Sequence, residues 1–232
     1  MILDKDFTIR TFFLVLQAIP ITLKIVLIVL IVSIVGGFLV ALGRIRGGIL
    51  GKILAIYVSF IRGTPVMVQI YLLYRAIPTV LGNYFMKHNI HIDVYGISGM
   101  TYAYVIFSMC MIAFLSEMFR GGLNAIDKGQ LEAAKAIGLS NFQGYRRIIL
   151  PQAIVNCLPV LCTNVTGLVK MSSLAFALGV AEIMGVAKTQ GAKYTCYLEA
   201  YLIIAILYVV INLLIELIFK LIEKRVSRYH KL

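Results

Sequence analysis

Few side chains in this chain could do chemistry, and their spacing narrows what that chemistry is. His88, His91 and His230 have no acid or cysteine beside them at ligand spacing, so they read as solvated surface groups and not as a metal site. Cys110, Cys157, Cys162 and Cys196 form no CxxC pair. The first three fall in apolar runs and read as small buried hydrophobes. No phosphate loop of the form G-x-x-x-x-G-K-[ST] occurs. Gly47 to Lys52 has the wrong spacing and is followed by Ile53, and Gly185-Val186-Ala187-Lys188-Thr189 lacks the loop. With no catalytic constellation, the expectation is a chain that is not itself an enzyme and binds no cofactor or metal.

What remains suits holding or passing a solute. Glu117 and Arg120 sit three apart, where helical side chains face each other. They form either a helix-end ion pair or part of a gate or substrate path. Asn156, Thr163, Asn164, Thr166 and Lys170 interrupt an otherwise apolar stretch. At ~100° per residue, Asn156, Thr163, Gly167 and Lys170 fall near one helix face. Polar groups inside a membrane span are costly unless they face a partner or a wet cavity. Thr163, Asn164 and Gly167, with Glu117, are therefore the candidates for a substrate path. Hydrogen bonding between packed helices is the alternative use. The Thr163–Asn164–Gly167 set is uncharged, which favours a neutral or zwitterionic solute, since a cationic one would want acids.

The elements that must carry these residues are membrane spans. The chain is 61% hydrophobic and 14% charged over 232 residues, well below the charge of a soluble domain. About five spans are expected, near 19–43, 64–81, 98–118, 152–170 and 200–219, in one all-α domain covering 1–232. Residues 7–19 mix apolar and polar side chains and could lie on the membrane surface. Residues 53–61 read as a re-entrant or interfacial helix, stopped by Arg62-Gly63-Thr64-Pro65, with Thr64 as cap and Pro65 opening the second span. Residues 82–97 read as an outer loop. The N-terminal stretch has no basic region and too long an apolar run for a secretory signal, so it reads as retained.

The net charge of +12 lies between spans, with no aromatic-interleaved basic patch, so it points to membrane orientation and not to nucleic acid. Segments 44–52, 119–150 and 220–232 hold 13 Lys and Arg; 1–10, 75–97 and 179–199 hold 6. The richer set belongs in the cytoplasm, giving an outer N-terminus and an inner C-terminus.

The block 119–150 is then a long cytoplasmic segment with its own helix signals. Asp127-Lys128-Gly129-Gln130 and Ser140-Asn141-Phe142-Gln143 are capping-box patterns, and Gly138 suits the left-handed position that ends a helix. The local chemistry predicts helix, sharp bend, helix, with the second helix ending at Leu150-Pro151.

Those residues also carry a resemblance. Glu132-Ala133-Ala134, Gly138, Ile148 and Leu150-Pro151 match the spacing of the EAA loop of bacterial ABC importer permeases. Arg62-Gly63-Thr64-Pro65 with Val68-Gln69, Ser116-Glu117 with Arg120-Gly121-Gly122, and Lys128-Gly129-Gln130 resemble the polar amino acid branch. Ser173 to Phe176 with Gly179 to Gly185 is similar to cystine-importing relatives.

The resemblance implies a multi-pass permease of the bacterial inner membrane that imports an amino acid, cystine-like molecules included. Its partners would be an ABC ATPase dimer, a second permease copy and an extracytoplasmic solute-binding protein. ATP would be used by the ATPase subunit. Glu132, Ala133, Ala134 and Gly138 would form the coupling helix that docks into the ATPase. The competing class is an ion-coupled secondary transporter, which usually needs ionisable residues deep in its spans; spans one and five are nearly free of them.

Overall fold

The computed structural model describes residues 4–90 and 93–228, with the backbone alone at 128, 227 and 228. His91, His230 and the end of the basic tail, 229–232, lie outside the described residues. Every regular element among the described residues is helical.

Helix α1 (Lys5–Leu16) starts on an Asp4 cap and packs on the bundle through Phe7, Thr11 and Val15. It therefore does not lie free on the membrane surface: it packs on α10 and α11 and runs on into α2 as one long apolar stretch, Lys5–Arg46. Helix α2 (Ile19–Arg46) is apolar on all sides, as a span in lipid should be. It ends at Gly47, whose φ of 75° reverses the chain into α3 (Gly48–Gly63). The expected interfacial helix thus begins at residue 48 and not at 53, and the basic 44–52 segment is mostly helical.

At Thr64 the chain is extended, as a residue before proline prefers. Thr64 does not cap the following helix: its hydroxyl donates back to the Phe60 carbonyl at 2.9 Å, and Pro65 takes the cap position. The path then runs through α4 (Val66–Tyr71), a π-helical turn (Leu72–Ala76) and α5 (Ile77–Lys87), bent by 107° from α3. The expected outer loop from residue 82 is helical as far as Lys87. Gln69 fastens the bend: its amide nitrogen lies 2.9 Å from Ile61 O and 2.8 Å from Thr64 Oγ1, and its oxygen accepts from Cys110 Sγ at 2.9 Å.

Helix α6 (Gly99–Asn124) starts on a Ser98 cap and is the most buried span. A Cβ added at Gly37 of α2 would stand 2.9 Å from Leu115 Cβ, so this pair of spans meets backbone to backbone. Ser33 donates to Ser108 O, and Phe38 meets Phe119 edge-on at 5.5 Å. Rising numbers on one helix meet rising numbers on the other, so α2 and α6 run parallel. The chain must return across the bundle between them. The bent pair α3 and α4–α5 supplies that return, so it joins the four helices that are individually long and apolar enough to cross.

The 119–150 segment forms a helix, a bend and a helix, as its caps predict. Helix α6 continues to Asn124, and α7 (Lys128–Ala136) and α8 (Asn141–Gly144) follow. The second helix does not stop at Pro151. A π-helical turn (Tyr145–Ile149) carries it into α9 (Leu150–Ser172), where Pro151 sits in the first turn and needs no N–H partner. A 3-10 turn (Ser173–Leu178), α10 (Ile183–Tyr194) and α11 (Tyr197–Arg228) complete the chain. Glu182, fully buried, caps α10 through the Met184 and Gly185 N–H groups and accepts the Tyr208 hydroxyl at 3.1 Å.

Candidate functional site

The hairpin α7–α8 is built by its caps. Asp127 accepts from Gly129 N, through N2 of the helix and not through the Gln130 position that the sequence pattern suggested. Gly138 has φ 85°; its N–H bonds Lys135 O at 2.9 Å while Leu139 N–H bonds Ala134 O at 3.1 Å. This double bond pattern closes the helix C-terminus and needs the left-handed conformation. Ser140 and Gln143 then exchange both bonds of a capping box.

Within the hairpin the four coupling candidates separate. Glu132, Ala133 and Gly138 are exposed. Ala134 is 2% exposed and faces α8 at Gly144, so its small size serves the bend and not a partner's approach. The projecting surface carries residues that sequence reasoning passed over: Ile137 at 76% and Phe142 at 73% exposure, with Tyr145 beside them. Two large apolar side chains are thus exposed on an otherwise polar hairpin.

Glu117 lies seven residues before the end of α6, toward the hairpin end of the bundle. Arg120 contacts it at 2.7 Å, as the spacing suggested, and two arginines from other helices join: Arg44 of α2 at 2.6 Å and Arg62 of α3 at 3.7 Å. One carboxylate thus gathers three guanidinium groups from three elements. The i,i+3 pair was visible in sequence; Arg44 and Arg62 were not, because their approach depends on how α2 and α3 cross α6.

On α9, Asn156, Thr163, Gly167 and Lys170 are exposed along one face, as the helical spacing implied. Thr163 lines a cavity of about 300 Å³ with Cys162 and Thr166 on one side and Glu216, Lys220 and Glu223 of α11 on the other. Asn164 is turned away from that cavity, and its amide donates to Val160 O at 2.9 Å. Glu117 is held by its arginines and is not part of the lining. The acids of α11 are what the sequence reading missed. Their spacing of seven, with Lys220 between, places all three on one helix face, and that signal was available.

Comparison with known proteins gives the arrangement its family. Residues 33–228 match the family model described as "Binding-protein-dependent transport system inner membrane component". The probable amino-acid permease YxeN of Bacillus subtilis (strain 168) is 38% identical over 207 residues, covering 89% of this chain and 88% of that protein. The L-cystine transport system permease TcyL of the same organism is 36% identical, covering 90% and 85%. Among solved structures, an amino acid ABC transporter crystallised with histidines superposes with a TM-score of 0.81 at 27% identity, over 97% of this chain and all of that one. The methionine ABC transporter MetNI superposes at 0.74 with 19% identity, which speaks for the fold alone. The chain belongs to the inner-membrane permease family of binding-protein-dependent ABC importers, within its amino-acid-transporting branch, in which a separate ATPase subunit hydrolyses ATP.

Proposed function

We propose that this permease imports a neutral or zwitterionic amino acid, cystine-like molecules included, handed over by an extracytoplasmic binding protein. The α7–α8 hairpin engages one subunit of an ATPase dimer. A second permease copy, identical or related, completes the pore; the N-terminus lies outside and the C-terminus in the cytoplasm. ATP is used by the ATPase, and this chain binds no cofactor.

The observation that carries the coupling half is the exposed Ile137–Phe142 crest on a hairpin whose bend is held by Gly138. Exposed aromatic and aliphatic anchors of this size are the residues that dominate docking energy. The substrate half is supported by the cavity beside Thr163, which offers carboxylates, an ammonium group and hydroxyls together. A zwitterion carries both complementary charges; the two α11 acids, against one lysine, remove the sequence argument that an uncharged path excludes a cationic solute.

The test is reconstitution with the cognate ATPase and binding protein, and uptake of the common L-amino acids and L-cystine as tracers. Phe142→Ser should release the ATPase from the purified permease and abolish uptake. Thr163→Val should lower uptake several-fold with the ATPase still bound. Full ATPase association in the Phe142 variant would refute the docking assignment. Unchanged rates and selectivity in the Thr163 variant would remove α9 from the path.

A further inference from the structure

The end of the bundle opposite the hairpin holds a second polar cavity. It measures about 110 Å³ and lies between the π-helical turn after α4, the start of α6 and the segment before it. Arg75 is the charged residue in its lining, with Thr79 and the tyrosines Tyr74, Tyr95 and Tyr102. Tyr74 and Tyr102 meet edge-on at 5.0 Å, and the Arg75 guanidinium carbon stands 5.5 Å from the Tyr74 ring centre.

Arg75 has no carboxylate of its own. Among the described residues the arginine ion pairs all converge on Glu117, at the other end of α6. Asp93, close by in the chain, turns Oδ1 to the Tyr95 and Gly96 N–H groups at 2.9 and 3.0 Å. The flanking residues Leu72 and Ile77 are apolar and exposed. Arg75 is exposed at this end of the bundle, so its guanidinium donors are open to an anion arriving from outside the bundle. Its position on a π-helical turn adds to this, since such turns are frequent at functional sites.

A planar guanidinium that shares one cavity with Thr79 and three tyrosines supplies paired N–H donors in a lining that also carries O–H donors, a set that fits a carboxylate. Every α-amino acid carries one. Glu216 and Glu223, in the cavity on the hairpin side, offer the complementary recognition of an ammonium group. We propose that the Arg75 cavity is a carboxylate site that receives the α-carboxylate of the amino acid as it leaves the binding protein. This rests on the importer reading above. An acidic side chain of the docked binding protein would bring the same chemistry from a second source.

The experiment uses the whole importer in vesicles, with the best-carried tracer of the uptake panel. Wild-type uptake tests the importer reading; the variants, compared with wild type in the same preparation, test Arg75. Arg75→Gln should lower maximal uptake about tenfold or more, the loss expected for a charge-assisted hydrogen bond. Arg75→Lys should recover part of it, and Tyr102→Phe should lower it several-fold without disturbing the ring contact. ATPase stimulation by loaded binding protein should keep its half-maximal concentration. A tenfold rise in that concentration, with uptake per ATP unchanged, would move the carboxylate to the binding protein and overturn the assignment to the amino acid. Uptake and stimulation within twofold of wild type in both Arg75→Gln and Tyr102→Phe would overturn the site itself and leave Arg75 as an interfacial anchor.

Discussion

Glu117 illustrates how much of a site a single residue can hide. Its side chain is 19% exposed and that of Arg44 16%, so the pair is neither open to water nor sealed from it. Exposed pairs contribute about 0–1 kcal/mol, while removing one partner of a buried pair costs about 3–5 kcal/mol. Glu117→Gln leaves three guanidinium groups around a neutral amide and should cost about 2 kcal/mol, between those limits. The measurement is thermal unfolding of the purified permease. Arg44→Met combined with Glu117→Met should be more stable than Glu117→Met alone, because the least exposed of the three uncompensated guanidinium groups is then removed, leaving Arg62 and Arg120 nearer water. A double variant no better than Glu117→Met would break the proposed coupling. The sequence made the Glu117–Arg120 half legible, because neighbours on one helix are fixed by local geometry. It could not yield Arg44, 73 positions away, since that contact exists only because α2 and α6 run parallel and meet closely at Gly37. Thr163 and Asn164 show the same division. Helical spacing separated the two faces correctly in angle, yet which face meets the α11 acids is decided by packing between helices.

At the scale of elements, signals confined to a few residues were readable and signals from packing were not. The Gly138 bend and the Ser140 box follow from their own residues. The continuation of the second hairpin helix through Pro151 does not, because it depends on the π-helical turn that precedes it. Gly138→Leu should strain the bend by about 1–2 kcal/mol, the cost of a side chain in the left-handed region. The spans should stay folded while ATPase co-purification falls; full co-purification would count against the bend as a docking determinant. A second element-level expectation concerns Glu182, which lies between the spans and caps α10. Burial pushes its carboxyl up to about 7, against the hydrogen bonds from Met184, Gly185 and Tyr208, which favour the ionised form. A carboxyl raised on folding contributes fully below its unfolded value, near 4.3, and that contribution is lost as pH rises through about 7. The melting temperature of the permease should therefore fall between pH 5 and pH 8. Glu182→Gln, which cannot ionise, should flatten that slope; an equal slope in both proteins would assign the pH dependence elsewhere.

For the whole molecule the question is which end of the bundle faces the cytoplasm, and here charge and geometry are independent arguments. The α2–α6 pair is parallel, the bent pair returns between them, and α9 runs back along α6, where Gly122 meets Cys157 and Gly99 meets the Leu178 carbonyl. These contacts gather the ends of α2 and α6, the α7–α8 hairpin and the start of α9 at one end, and α11 runs antiparallel to α9, so that its C-terminal residues join them. The three segments richest in Lys and Arg, 44–52, 119–150 and the described part of the tail from Lys220, all fall at that end. Charge alone could be accidental in any one loop. A folded bundle that collects its three richest basic segments on one side supports the proposed orientation, with that side in the cytoplasm. The expected outcome is that a reporter fused after residue 228 is active in the cytoplasm and one inserted at Phe85, near the end of α5, is active outside. The proposed orientation would put Arg75 on the side where a binding protein docks and the Ile137–Phe142 crest on the side where ATP is available. A C-terminal reporter active only outside, or a Phe85 reporter active only in the cytoplasm, would invert the bundle and with it the assignment of both surfaces.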